Sequence, residues 1–260
     1  MATKVVARAP IVSSVRLSRA GPSAPQFAPA AWRFLGMLLV FGLAYATFEL
    51  TSDWAWYPIL ALQWLTHDAK ILSLPWAATI AETERAAATV GVVMLLRRLL
   101  PARDPAAMGF VAPTRRQLWI GAGFLALGML GEYLVISYMN PPPATQISGA
   151  AAFIAPHHGL SDYLADILGV CVATPIVEET LFRGLLFAGL VQWVPAWLAA
   201  LVSALLFSMW HAEPYRLVIL GVMGLGFAFA YYRTGSLWVP IAMHATINWL
   251  AVSASYLSNM

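Results

Sequence analysis

Two carboxylates and a guanidinium, Glu178, Glu179 and Arg183, interrupt an apolar run that extends from Leu164 to Leu190. Charged residues at the centre of a membrane helix cost about 2.5–3.5 kcal/mol on insertion scales, so they usually mark pairing or function. On a helix, Glu179 and Arg183 stand at i and i+4 on one face, with the acid N-terminal to the base, the favourable order for an ion pair. Glu178 lies about 100° around the helix from that pair. It is therefore the carboxylate without a partner on its own helix.

Two further segments set polar groups in apolar surroundings at the same spacing. Phe207-Ser-Met-Trp-His211 puts Phe207 and His211 on one helical face, and His244-Ala-Thr-Ile-Asn248 does the same for His244 and Asn248. Such a set permits hydrolysis of an acyl bond by activated water. A carboxylate in a low-dielectric site without a cation beside it holds its proton more tightly than in water, which suits a general base, and Glu178 is that candidate. His211 can hold the same water and share or shuttle the proton, with Phe207 one turn earlier as a dry wall. His244 and Asn248 offer N–H donors to the oxyanion of a tetrahedral intermediate, where one lost donor typically raises the barrier by about 2.7–4 kcal/mol. Glu179 and Arg183 would then support the site.

These residues must be positioned by membrane helices. The chain has 260 residues, of which 60% are hydrophobic and only 10% charged, against about 25% charged in soluble domains. Apolar blocks approach the roughly 20 residues that a spanning helix needs. The expected fold class is all-α, a polytopic transmembrane helix bundle of about seven spans, with six to eight as the range. Net charge is +3, but there is no basic stripe with interleaved aromatics, so nucleic acid is not an expected partner. The single cysteine, Cys171, excludes an internal disulfide and a cysteine-based zinc cage, and reads as core filler.

In chain order, residues 1–30 carry Lys4, Arg8, Arg16 and Arg19 with no acid and read as a disordered basic tail. The composition also suits an organellar transit peptide, though a cytoplasmic tail is the favoured reading. Residues 31–160 hold N-terminal membrane helices and an interfacial segment. Their apolar run 34–48 is followed by an aromatic-rich, Pro-broken interfacial stretch over 51–79, then helices near 80–100 and 118–139. Residues 161–260 form the catalytic helical core, with helices expected over 163–191, 196–211, 215–232 and 237–256. Gly221, Gly224 and Gly226 with Ala228 point to close helix packing, since no strand precedes them as a phosphate loop would require. Eleven of the fifteen Lys and Arg residues fall on one face when the N-terminus is cytoplasmic, so the N-terminus is expected inside.

Depth tests whether the polar residues can meet. At about 1.5 Å per residue from the cytoplasmic helix ends, Glu178 lies about 18 Å deep, His211 about 22 Å, His244 about 10 Å and Asn248 about 16 Å. All four can face one cavity.

Glu178-Glu179-x-x-x-Arg183, Phe207-x-x-x-His211 and His244-x-x-x-Asn248 together resemble the three successive motifs of the CPBP family. This family comprises the type II CAAX prenyl endopeptidases, the Abi proteins and bacteriocin-processing relatives. The resemblance covers roughly residues 162–255. It implies an intramembrane glutamic protease in which Glu178 and His211 activate water and His244 and Asn248 stabilise the oxyanion, with no cofactor required. The expected partners are membrane lipid and a membrane-associated or lipidated peptide or protein, and the expected location is a bacterial inner membrane. Prenylated CAAX proteins are not implied as the substrate.

Plainer readings stand beside these. Glu178 could be a buried carboxylate paired with Arg85 or Arg216, and His211 and His244 could be satisfied core histidines. Glu49, Glu82, Glu84 and Glu132 read as residues reaching for headgroups, Glu213 as interfacial, and His67 and the pair His157-His158 as solvated. Within the enzyme class, His211, His244 and Glu178 would also make a catalytic zinc set, although there is no His-Glu-x-x-His helix and Asn248 is a poor zinc ligand. Outside it, the alternatives are a catalytically silent membrane scaffold or bacteriocin self-immunity protein, and a transporter, for which no inverted repeat is evident.

Overall fold

The computed structural model describes residues 30–54, 57–67, 75–96, 108–139, 159–211 and 216–258. The basic tail, Lys70, Arg97, Arg98, Arg103, the loop with His157 and His158, and Glu213 lie outside the described residues. Among those described, all regular structure is helical. Eight helices follow one another: α1 (Ala30–Trp54), α2 (Tyr57–Thr66), α3 (Pro75–Leu96), α4 (Arg115–Met139), α5 (Leu160–Leu190), α6 (Ala196–Trp210), α7 (Leu217–Thr234) and α8 (Trp238–Ser258). Seven of them coincide with the seven expected segments, and α2 occupies the aromatic-rich interfacial stretch. The protein is thus an all-α membrane helix bundle. Helices α1, α4, α5 and α7 each contain a stretch long and apolar enough to cross a membrane. Helices α3 and α8 reach 22 and 21 residues but carry more polar groups, and α6 is apolar with 15 residues.

Local sequence sets the helix ends. Thr114 and Gln117 form a reciprocal capping box at the start of α4: the Gln117 N–H donates to the Thr114 hydroxyl at 3.3 Å, and the Thr114 N–H donates to Gln117 Oε1 at 2.7 Å. Helix α7 stops where Gly235 takes a left-handed conformation, φ 66°, with Arg233 in the last turn beside the negative end of the helix dipole. The resulting tight α7–α8 turn is braced by the segment before α4. The Leu237 N–H donates to the Gly109 carbonyl at 2.7 Å, the Ser236 hydroxyl to the Val111 carbonyl at 2.6 Å, and the Tyr231 hydroxyl to the Met108 carbonyl at 2.9 Å. Gly109 has φ 91°, and a Cβ there would lie 2.6 Å from the Tyr231 ring, so only glycine fits. This brace sets where α8 begins, and hence the height of His244 and Asn248.

One apolar core joins α1, α3, α5, α6, α7 and α8, from Met37 and Val40 through Phe182, Phe207 and Phe227 to Met243. Helix α7 packs most extensively on α6 and α4, and α1 on α3. The small residues of α7 allow that approach: a Cβ on Gly224 would lie 3.1 Å from the Ala204 Cα of α6. Cys171 is buried and free within this packing, as filler.

Helix α5 departs from regular α geometry in two places. Gly169–Ala173 and Thr180–Phe187 are π-helical, and they bracket the α-helical turn Thr174–Glu179 that carries both glutamates. Such wide turns are rare and recur at functional sites.

Candidate active site

The expected pair on α5 is present. Arg183 Nη1 donates to Glu179 Oε1 at 3.0 Å, with both side chains fully buried. The guanidinium is held from three more sides. Its Nη2 donates to the Gly224 carbonyl of α7 at 3.0 Å, and its carbon lies 4.4 Å from the centre of the Phe207 ring and 5.2 Å from that of Phe227. Ring faces replace some of the solvation this buried pair has lost, while Arg183 Nε and Glu179 Oε2 have no hydrogen-bond partner among the described residues.

Glu179 is not confined to Arg183. The same Oε1 lies 3.0 Å from His244 Nδ1, so the carboxylate joins α5 to α8. A carboxylate only accepts, which places a proton on Nδ1 and turns Nε2 toward the other acid. There Nε2 stands 3.8 Å from Glu178 Oε2. That gap is too long for a direct hydrogen bond. Glu178 is 4% exposed, and its Oε2 has no hydrogen-bond partner among the described residues. Glu179 Oε2 is likewise unpartnered among the described residues, so the two acids differ in that Glu179 Oε1 is bonded to both Arg183 and His244. The suggested pairing of Glu178 with Arg85 is not what the structure shows. Arg85 bonds Glu82 at 2.6 Å and lies 4.0 Å over the Phe48 ring.

The His244 ring is fixed on its faces as well. It stacks on Phe227, with centroids 5.2 Å apart and planes at 21°, and meets Phe207 edge-on at 5.8 Å. Phe207 also touches the His211 ring at 5.1 Å. It thus contacts both histidine rings and the guanidinium. His211 caps the C-terminus of α6, and its Nδ1 lies 2.9 Å from the Phe207 carbonyl. A carbonyl only accepts, so Nδ1 donates and Nε2 remains available. Asn248 donates its amide to the Val170 carbonyl of α5 at 2.8 Å, which uses one of its two N–H bonds and leaves the other. Among the described residues, no group of three His, Cys, Asp or Glu side chains is arranged to hold a metal ion.

Glu178, Glu179, Arg183, Phe207 and His244 therefore meet through direct contacts, His211 joins them through Phe207, and Asn248 sits one turn beyond His244 against α5. Phe227, the Gly224 carbonyl and the Glu179–His244 bond were not expected from sequence. The small-residue run in α7 was the available signal for Gly224. Phe227 gave none, because a phenylalanine in an apolar helix is ordinary.

Residues 160–250 match the family model described as type II CAAX prenyl endopeptidase Rce1-like. The chain is 37% identical over 141 residues to the Bacillus subtilis (strain 168) protein named "Putative membrane peptidase YdiL", covering 52% of this chain and 54% of that one. It is 33% identical over 91 residues to the Escherichia coli protein named "Uncharacterized 24.3 kDa protein", covering 33% of this chain and 42% of that one. The matches span about half the length of these curated relatives. No solved structure matches the chain.

Proposed function

We propose that this protein, whose residues 160–250 match the type II CAAX prenyl endopeptidase Rce1-like family model, is a CPBP-family intramembrane endopeptidase that hydrolyses a peptide bond with water activated by Glu178. The observation that carries the reading is that Glu179 Oε1 bonds both Arg183 and His244 Nδ1, while the buried Glu178 Oε2 faces His244 Nε2 across 3.8 Å with no hydrogen bond.

In this reaction Glu178 takes a proton from water as its oxygen attacks the scissile carbonyl carbon, with His211 Nε2 helping to hold the water. The carbonyl oxygen becomes an oxyanion that accepts hydrogen bonds from the second Asn248 N–H and from the His244 ring. Collapse breaks the C–N bond, and the proton held by Glu178 passes to the leaving amine. Glu179 holds His244 in place through Nδ1, and Arg183 holds Glu179. No cofactor enters this scheme.

The site is enclosed by apolar helices, which favours a substrate with an apolar or lipid-modified segment over a freely soluble peptide. The site thus suits trimming of a lipidated C-terminus, a leader or an anchor sequence, in a bacterial inner membrane with the N-terminus cytoplasmic. The test is a comparison of membrane-protein termini in cells carrying the intact protein or Glu178→Gln. Termini present only with the intact carboxylate support the proposal and identify the substrate. Identical terminal profiles, with both proteins folded and equally abundant, favour a non-catalytic scaffold or immunity protein.

A further inference from the structure

The two glutamates sit on a single α-helical turn, Thr174–Glu179, between two π-helical segments of α5. Two such wide turns in one helix are rare, so the contacts that hold them matter to where the glutamates point. Each segment is held from outside by a side chain on another helix. Asn248 of α8 donates to the Val170 carbonyl in the first, at 2.8 Å. In the second, the Ser203 hydroxyl of α6 donates to the Phe182 carbonyl at 2.8 Å.

Ser203 is fully buried in α6, and whereas the helix's other serine, Ser208, donates to the Leu205 carbonyl of the same helix, Ser203 reaches another one; it belongs to none of the sequence motifs that flagged the site. A hydroxyl there is costly unless bonded, so the choice of serine over alanine calls for a reason. Its acceptor supplies one. Phe182 is the residue before Arg183, whose guanidinium holds Glu179, which in turn holds His244 Nδ1. The Phe182 ring also packs edge-on against Phe207 at 5.4 Å and Trp210 at 5.5 Å, so this residue is tied to α6 by both backbone and side chain.

We infer that Ser203 is a positioning residue for the reaction proposed above: its bond to the Phe182 carbonyl fixes the second π-helical segment, and through Arg183 and Glu179 it fixes the His244 ring opposite Glu178. Asn248 clamps the other end of the same turn. The inference rests on the proposed function for its kinetic consequence but not for its geometric one, and the test separates the two.

Ser203→Ala removes the donor without adding bulk, and Ser203→Thr keeps the hydroxyl. Each would be compared with the intact protein in two ways: by the abundance of the Glu178-dependent termini per folded molecule, and by ¹⁵N NMR of histidine-labelled protein in detergent, the His244 signals being identified by their loss in His244→Gln. Ser203→Ala is expected to lower product about 10- to 100-fold, the scale of a small misplacement of a catalytic group. It is also expected to move the His244 ring-nitrogen resonances, with Ser203→Thr restoring both. Unmoved His244 resonances in Ser203→Ala overturn the inference, whether product is retained or falls only with the amount of folded protein. If no termini depend on Glu178, the proposed function fails, and the resonances alone decide whether the clamp exists.

Discussion

Arg183→Ala removes the Nη1 bond to Glu179 at 3.0 Å, the Nη2 bond to the Gly224 carbonyl at 3.0 Å, and the cation over Phe207 and Phe227. Glu179 has no exposed surface, so its charge would be left with His244 as its remaining bonded partner. Breaking a buried pair by deleting one partner costs about 3–5 kcal/mol, because the surviving charge is neither hydrated nor compensated. The cation–π contacts belong to the same group and are counted within that figure. Titration of micelle-reconstituted protein with denaturing detergent, followed by fluorescence of its 11 tryptophans, would measure the loss. Glu179→Ala should cost a comparable amount by stranding Arg183. The double variant leaves no stranded charge, so it should be less destabilised than the sum of the singles by about 2 kcal/mol or more, in the range of strongly coupled neighbours. A cost below about 1 kcal/mol for Arg183→Ala, or strict additivity in the double variant, would refute the claim that Arg183 holds Glu179 as a coupled buried pair.

Gly224→Ala would put a Cβ 3.1 Å from Ala204 and 3.2 Å from Arg183 Nη2, so it should destabilise the α6–α7 contact by about 1–3 kcal/mol in the same titration. Purified protein should retain cleavage after treatment with a chelator; abolition by chelation with restoration by zinc would replace the water-activation scheme with a metal-centred one. Reporter fusions at the two termini should place the N-terminus in the cytoplasm and the C-terminus on the opposite face, and a cytoplasmic C-terminus would mean an even number of crossings.

The helices were legible because apolar runs and their Pro and Gly breaks are local signals. The predicted segments 118–139 and 196–211 match α4 and α6 within about three residues. The Glu179–Arg183 pair was legible for the same reason, since i and i+4 spacing lies within one helix. What escaped the sequence depends on contacts between helices. Whether His244 turns toward Glu178 or Glu179 depends on where α8 starts, and that is set by Gly109 and Val111 more than 100 positions earlier. The π-helical segments escaped because their extra width is stabilised by Asn248 and Ser203 from other helices. Phe227 and the Gly224 carbonyl became part of the site only through the crossing of α7 over α5 and α6.

The central claim is that two adjacent glutamates have different work, Glu178 on water and Glu179 on His244 and Arg183. The most direct measurement is the turnover, in liposomes, of a synthetic peptide spanning the identified cleavage site, by the intact protein, Glu178→Gln and Glu179→Gln at equal folded amounts. The account predicts a loss of about 10²- to 10⁴-fold for Glu178→Gln, the contribution of a general base. It predicts a smaller loss for Glu179→Gln, because an amide oxygen can still accept from His244 and Arg183. Turnover surviving in Glu178→Gln while Glu179→Gln is inactive would contradict the account and exchange the two roles.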